Sequence, residues 1–216
     1  ERPGELAEGR TFDVAGIGRA GHRAMIARRR AQARSDGPAR SVVVMRPRFA
    51  ARQTRLTELL DIEHPVMLAG MGGVSYADLV AAVSDAGGIG TFGASTMAAD
   101  ELDSEIARLK AMTDRPFGVD LLTAVPGQVE RGIQSVISSG ARIFVAGLGV
   151  PREVIDLLHD HNVLVGSMCG KVRHAVGAVA GGCDFVVAQG TEAGGHTGYV
   201  ATMALVPQVV DAVGDK

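Results

Sequence analysis

The feature that most restricts what this chain can fold into is an alternation that starts near Thr54 and continues to the C-terminus. Short apolar runs at 66–69, 89–92, 117–121, 143–146, 163–166 and 185–188 take turns with longer amphipathic stretches at 76–86, 98–112, 128–139, 152–159, 171–180 and 201–212. A short helix capped by Thr54 or Thr57 precedes them at 54–60. The apolar runs lack polar alternation, which is how strands buried on both faces read. The longer stretches carry apolar residues on one face only, as in Leu79, Val80 and Val83 or Ile133, Val136 and Ile137. Gly87, Gly140 and Gly181 are expected just past helix ends, and Pro126 and Pro151 at helix starts. Strand–helix alternation gives a parallel sheet with helices packed outside it. Run starts are spaced about 20–28 residues apart over six units. That spacing suits both a doubly wound sheet and six-eighths of a (β/α)8 barrel.

Residues 185–198, FVVAQGTEAGGHTG, hold the densest chemistry. A buried strand ends at Gln189 and enters a loop containing Gly190, Thr191, Glu192, Gly194, Gly195, His196 and Gly198. Loops at the carboxyl ends of parallel strands are where α/β proteins bind ligands. Glycines let backbone N–H groups approach a flat or anionic ligand closely. Histidine exchanges protons near neutral pH.

Bulk properties exclude several classes. No run of 18 apolar residues occurs, so no segment reads as membrane-spanning. A formal net charge of −2 gives no overall case for nucleic-acid binding. Two cysteines, Cys169 and Cys183, make no disulfide framework and point to a reducing cytoplasm. No histidine has a metal-ligand spacing to carboxylates or cysteines, so no metal site is expected. Cys169 has no base beside it and reads as packing. Charge is uneven: residues 1–55 hold 13 Arg and 5 acids, whereas 56–216 hold 9 Lys and Arg against 19 acids. Residues 1–53 therefore read as a disordered basic leader, and 54–216 as the folded unit. Gly16, Gly18 and Gly21 have a G-x-G-x-x-G spacing, but the strand before them is barely four residues. Gly88, Gly90 and Gly93 repeat the spacing across a strand instead of after one, which weakens a dinucleotide-binding reading.

Four segments in order, PVMLAGMGG from Pro65, AVSDAGGIGTFG from Ala82, FGVDLL from Phe117 and VAQGTEAGGHTG from Val187, resemble the FMN-dependent nitronate monooxygenases, formerly called 2-nitropropane dioxygenases. Relatives of that family include FMN-type enoyl-acyl carrier protein reductases. The resemblance implies a TIM-type (β/α)8 barrel of which about six units are present, with FMN at the carboxyl ends of the strands. It puts the backbone of Ala69, Gly70 and Met71 along the flavin ring. It also places Asp120 where many relatives carry Asn; an ionised Asp accepts a hydrogen bond from a flavin N–H but cannot donate to a carbonyl. Gln189, Gly194 and Gly195 are expected at the cofactor edge, and Lys171 beside the anionic region of the reduced ring.

The implied reaction is oxidation of an alkyl nitronate or nitroalkane by FMN and O2, with His196 removing the α-proton of a neutral nitroalkane. Met71 and Met203 are expected to line an apolar substrate pocket. The partners are thus a small-molecule substrate and O2, with neither nucleic acid nor membrane, and a homo-oligomer is compatible with the reading. Two alternatives stay open: an NAD(P)H-dependent flavin reductase acting on an enoyl thioester or quinone, and a non-catalytic truncated paralogue. Strands seven and eight, with the phosphate clamp the resemblance implies, are not found before Lys216. The 216-residue chain alone is therefore expected to hold FMN weakly or not at all.

Overall fold

A computed structural model describes residues 53–123, 128–147 and 149–214. The basic leader up to residue 52, its G-x-G-x-x-G spacing and Pro126 lie outside the described residues. Five strands alternate with helices. In chain order they are α1 (Arg55–Leu60), α2 (Ala77–Asp85), β1 (Gly90–Gly93), α3 (Ala99–Lys110), β2 (Phe117–Leu122), α4 (Gln128–Ser139), β3 (Ile143–Gly147), α5 (Arg152–Asp160), β4 (Leu164–Cys169), α6 (Val172–Gly181), β5 (Phe185–Ala188) and α7 (Thr202–Val213). A short 3-10 turn, Ala94–Thr96, follows β1.

All pairings are parallel, and the order is β1-β2-β3-β4-β5. Each new strand lies beside the last, with no reversal. A doubly wound sheet has a point where the strand order turns back; a (β/α)8 barrel does not. The sequential order therefore decides between the two architectures that spacing left open, in favour of the barrel type. Among the described residues the sheet is an open arc.

Two faces of that arc separate by the two-residue period of a strand. Phe92, Phe117, Val119, Leu121, Phe144, Ala146 and Val165 point to the helices. They form the main core with Val80 of α2, Ile106 of α3, Val136 of α4 and Leu158 of α5. The opposite, inner face carries Ile89, Ile143, Val145, Leu164, Met168 and Phe185. Helix α1 covers the start of this inner face through Leu56, Leu59 and Leu60, and the Arg142 guanidinium donates to the Leu59 carbonyl at 2.9 Å. At Gly166 a Cβ would come within 2.3 Å of the Phe185 ring, so the aromatic side chain fills space that a bare backbone leaves. The capping expectation holds at α1: Thr54 is the N-cap, and Thr57 completes a reciprocal capping box.

Several expected boundaries differ; β1, for one, covers Gly90–Gly93 rather than 89–92. Run 66–69 does not form a ladder. It makes one parallel bridge, Met67 with Ile89, supported by Leu68 N–H to Ile89 O at 2.9 Å and Ile89 N–H to Val66 O at 3.0 Å. Beyond Leu68 the chain bends into a tight turn and its backbone bonds go elsewhere. The strand expected at 163–166 starts one residue later and runs on to Cys169. The left-handed residue after α6 is Gly182, at φ 109°, rather than Gly181, which closes the helix.

Ser84 fixes the angle between α2 and the sheet. Its buried hydroxyl donates to the Pro116 carbonyl at 2.8 Å and accepts from Gly90 N–H at 2.9 Å. Ser84→Ala strands both backbone groups. It is expected to lower stability by about 1–3 kcal/mol in urea denaturation without changing the fold by circular dichroism.

Candidate active site

Because every strand runs the same way, the loops after Ala69, Gly93, Leu122, Gly147, Cys169 and Ala188 share one edge of the sheet. All the residues singled out from sequence as cofactor or catalytic groups lie on or beside that rim. Physical packing joins them into two groups.

The first group is built around the turn after residue 69. Ser75 is fully buried; its hydroxyl donates to the Ala69 carbonyl at 3.0 Å and accepts from Met71 N–H at 3.1 Å. Ser75 N–H closes the turn onto Met71 O at 2.9 Å. The turn therefore holds the backbone of Ala69, Gly70 and Met71 at the rim. Two close approaches explain why its neighbours are glycines. A Cβ on Gly70 would fall 2.2 Å from the Asp120 Cβ, and one on Gly93 would fall 2.3 Å from the Met71 carbonyl carbon. Asp120, paired with Gly93 in β2, thus lies directly against the Gly70 backbone. Two further hydroxyls shape the same edge. Ser95 accepts from Leu122 N–H at 2.8 Å, and Thr123 donates to Gly147 O at 2.6 Å.

The Asp120 carboxyl is half-buried and makes no hydrogen bond or ion pair with another described residue. Burial without a compensating charge raises its pKa from the ordinary 3.8 to about 7. It is therefore largely protonated in mildly acidic solution and partly so at neutrality.

The second group is the glycine-rich loop. Gln189 N–H bonds Cys169 O at 3.0 Å, and its side-chain Nε2 donates to Gly194 O at 3.2 Å. Glu192 reaches across to the start of α7, accepting from Thr202 N–H at 2.9 Å and from the Thr202 hydroxyl at 2.9 Å. The Thr202 backbone bond holds the Glu192 carboxyl below its usual range. Thr191 N–H bonds Val200 O at 2.9 Å. At the far end a Cβ on Gly198 would lie 2.6 Å from Gly170 O, so the loop rests on the segment leading into Lys171. Lys171 is half-buried as the N-cap of α6. Gly194, Gly195 and His196 form the exposed tip, with Gly195 at φ 75° and open space around both glycines.

The two groups occupy the same edge, and among the described residues no hydrogen bond or ion pair joins them. Met71 is 38% exposed and Met203 is 88% exposed, so the described residues do not enclose Met203 in an apolar pocket. Cys169 and Cys183 are buried, and burial pushes both thiols up, Cys183 to about 11. That leaves little thiolate, consistent with packing rather than nucleophilic chemistry.

The opposite edge of the sheet holds a cleft of about 850 Å³ lined by Lys110, Arg115, Arg142 and His161, among others. It is wide open, and two of its cations are engaged: Arg115 with Glu63 at 3.1 Å and Arg142 with Leu59 O. Ligands of parallel sheets bind at the carboxyl ends, so the rim remains the candidate.

Sequence reading missed Ser75, Ser95 and Thr123 as the side chains that shape the rim, and Glu192 as a helix cap. The Glu192–Thr202 pair spans ten residues and follows no local capping pattern. Ser75 sits where an N-cap could be read, yet Tyr76 takes that place and the hydroxyl turns back to the loop.

The nitronate monooxygenase family model matches residues 53–134 and 123–214. The chain belongs to the nitronate monooxygenase family. All four segments that carried the resemblance lie inside the matched residues. The chain is 42% identical over 161 residues to a Mycobacterium tuberculosis protein named (3aS,4S,5R,7aS)-5-hydroxy-7a-methyl-1-oxo-octahydro-1H-indene-4-carboxyl-CoA dehydrogenase, covering 74% of this chain and 45% of that one. It is 32% identical over 206 residues to a probable nitronate monooxygenase of Staphylococcus saprophyticus, covering 74% and 58%. FabK from Thermotoga maritima superposes with a TM-score of 0.72 at 35% identity, over 75% of this chain and 52% of that one. The chain spans about half the length of the curated relatives it matches.

The Asp120 environment generates a pH-dependent stability. Its folded pKa lies above the unfolded value, so its contribution is fully present below about pH 4 and is lost as pH rises to about 7. Asp120→Asn has no proton to lose. Its stability relative to the unsubstituted protein is expected to improve by about 1–3 kcal/mol between pH 4.5 and pH 8 in urea titrations. A constant difference across that range would contradict the buried-carboxyl assignment.

Proposed function

We propose that this nitronate monooxygenase family member is an FMN-dependent oxidoreductase that oxidises alkyl nitronates or nitroalkanes with O2. The observation that carries the reading is the shared rim. A pinned backbone turn, a half-buried carboxyl that keeps its proton up to about neutral pH and a glycine-rich loop ending in a histidine lie at the carboxyl edge of a singly wound parallel sheet. These groups suit an uncharged planar heteroaromatic ring. The backbone of Ala69, Gly70 and Met71 has no side-chain bulk at its centre, Asp120 has no competing ion pair, and Gln189 keeps its Oε1 as an acceptor after Nε2 bonds Gly194.

In this reading Ala69, Gly70 and Met71 lie along the ring, and Asp120 and Gln189 meet its polar edge. Gly194 and Gly195 offer backbone N–H groups, while Lys171 supplies positive charge. FMN held by these residues would supply the redox chemistry between the substrate and O2. His196, exposed at the loop tip, removes the α-proton of a nitroalkane. In this reading the site belongs to the unit assigned to 54–216. Two unpaired, buried thiols suit a reducing cytoplasm. No helix among the described residues is long and apolar enough to cross a membrane. A homo-oligomer is compatible with all of this.

A second reading rests on the 42% identity to a protein named as a CoA-ester dehydrogenase, higher than the 32% to the probable nitronate monooxygenase. In that reading the rim serves a CoA thioester, with electrons passing to or from a nicotinamide. Anaerobic stopped-flow mixing separates the two. The full-length protein carrying FMN is mixed with ethyl nitronate, with an acyl-CoA or with NADH. Fast flavin bleaching by nitronate alone supports the first reading, and bleaching by acyl-CoA or NADH but not nitronate replaces it with the second. His196→Ala is expected to reduce kcat/KM on neutral nitroethane by about 10²-fold or more and to change turnover of pre-formed nitronate far less. An equal loss on both would remove the base role from His196.

A further inference from the structure

We propose that Asp120 holds its proton when the site is empty and donates it in a hydrogen bond to a carbonyl oxygen on the imide-like edge of the bound ring, so that ring binding is coupled to pH. The inference deepens the flavin reading above and rests on it. An ionised aspartate offers only acceptors, whereas a protonated one offers one O–H donor and one C=O acceptor. That is the hydrogen-bonding pattern of an asparagine side chain, in nearly the same shape. A neutral carboxyl can therefore do at this position what Asn does, and the acidic residue need not repel an imide carbonyl.

The geometry keeps the proton on. Asp120 lies on the inner face of the sheet with Thr91 and Val145, its Cβ against the Gly70 backbone. Among the described residues, the segments on its own face bring no charge; α4 packs on the other face of β2, and its Glu130 and Arg131 are exposed. The turn at 69–73 is Ala, Gly, Met, Gly, Gly; β1 is Gly, Thr, Phe, Gly; the 3-10 turn is Ala, Ser, Thr; and β3 is Ile, Phe, Val, Ala, Gly. Helix α1 packs on Val145 of the same face, but its two charged residues, Arg55 and Glu58, are exposed, and Arg55 bonds Gly214 O. Thr91 contributes a buried hydroxyl with no partner, which adds polarity and no charge. With no cation among the described residues to stabilise an anion there, burial sets the protonation state, as the raised value of about 7 reflects. Protein sites do keep a carboxylic acid neutral at pH 7 so that it can act as a donor.

The coupling has a definite sign. If the ring binds only the protonated form, its Kd is flat below the Asp120 pKa and rises about tenfold per pH unit above it. Binding at pH 8 then takes up close to one proton.

Two measurements test this. In the full-length protein freed of flavin, the 13C-carboxyl resonance of Asp120, assigned by its loss in Asp120→Asn, is followed from pH 4 to pH 9. A midpoint near neutrality is expected, and a midpoint in the ordinary carboxylate range overturns the proposal. Riboflavin affinity is then measured by fluorescence quenching from pH 5.5 to pH 8.5; riboflavin lacks the phosphate, which itself titrates near ~6. Weakening above neutrality that disappears in Asp120→Asn, with the variant staying tight at pH 8.5, is the expected result. A neutral midpoint with affinity independent of pH overturns the hydrogen bond, as does a pH dependence that survives in Asp120→Asn. No riboflavin or FMN binding at any pH overturns the underlying flavin reading, and this proposal with it. The flavin-free titration shows which of the two has failed.

Discussion

The parallel run of every strand is the constraint on which the rest depends. Five strands in sequential order send each connection back over the same face of the sheet, and each chain segment emerges at the same edge. Residues more than a hundred apart in sequence, from Ala69 to His196, come to one rim with no long-range contact needed to bring them there. The helices stabilise this arrangement from outside, through Phe92, Phe144, Leu158 and their neighbours. The inner face is left to a smaller cluster closed off at the strand starts by α1. One end of that face is plugged with leucines, and the other is free to carry polar groups.

Backbone-to-side-chain bonds then turn a rim into a site. Ser75 holds a bare stretch of backbone in a fixed turn, and Glu192 ties the glycine-rich loop to the start of α7. Both bonds are made at the base of their loops, leaving the parts that face outward without side-chain bulk. A flat ligand needs that combination: fixed edges, and open backbone between them. The exposed tip at Gly194, Gly195 and His196 is the least constrained part, with Gly194 O held only by the Gln189 amide.

Much of this was legible in the sequence, for physical reasons that can be named. Strands 117–121, 143–146 and 185–188 announced themselves because a parallel strand is buried on both faces and tolerates no polar alternation. The run at 66–69 looked equally apolar, yet forms one bridge, because its outcome is decided by a hydroxyl six residues on that draws the chain into a turn. Closure type was hidden for a different reason. Strand order is a property of how crossovers stack, and spacing along the chain is the same whether they stack forward or turn back. Asp120 and Gln189 are legible as polar residues at strand ends and His196 as a titratable residue in the loop that follows, and the parallel strands bring all three to one rim. What sequence did not carry was the protonation state of Asp120, since that depends on which uncharged segments pack around it.

That last point reverses the apparent meaning of the substitution. Read as a letter, Asp in place of Asn introduces a negative charge where a carbonyl of the ligand is expected, which is unfavourable. Read in the fold, the nearby turn and strands are built from glycine, alanine, methionine, serine, threonine and other uncharged residues, and among the described residues no cation there keeps the charge. Ionising the carboxyl costs more than keeping the proton until about neutral pH, so below neutrality the side chain offers the donor and acceptor of an amide. Had evolution placed a lysine or arginine on the 3-10 turn or at the end of β3, the same aspartate would be an anion and the rim would select a different ligand. The identity of a site residue is therefore incomplete without the charges of the four segments around it, and here every one of them is zero.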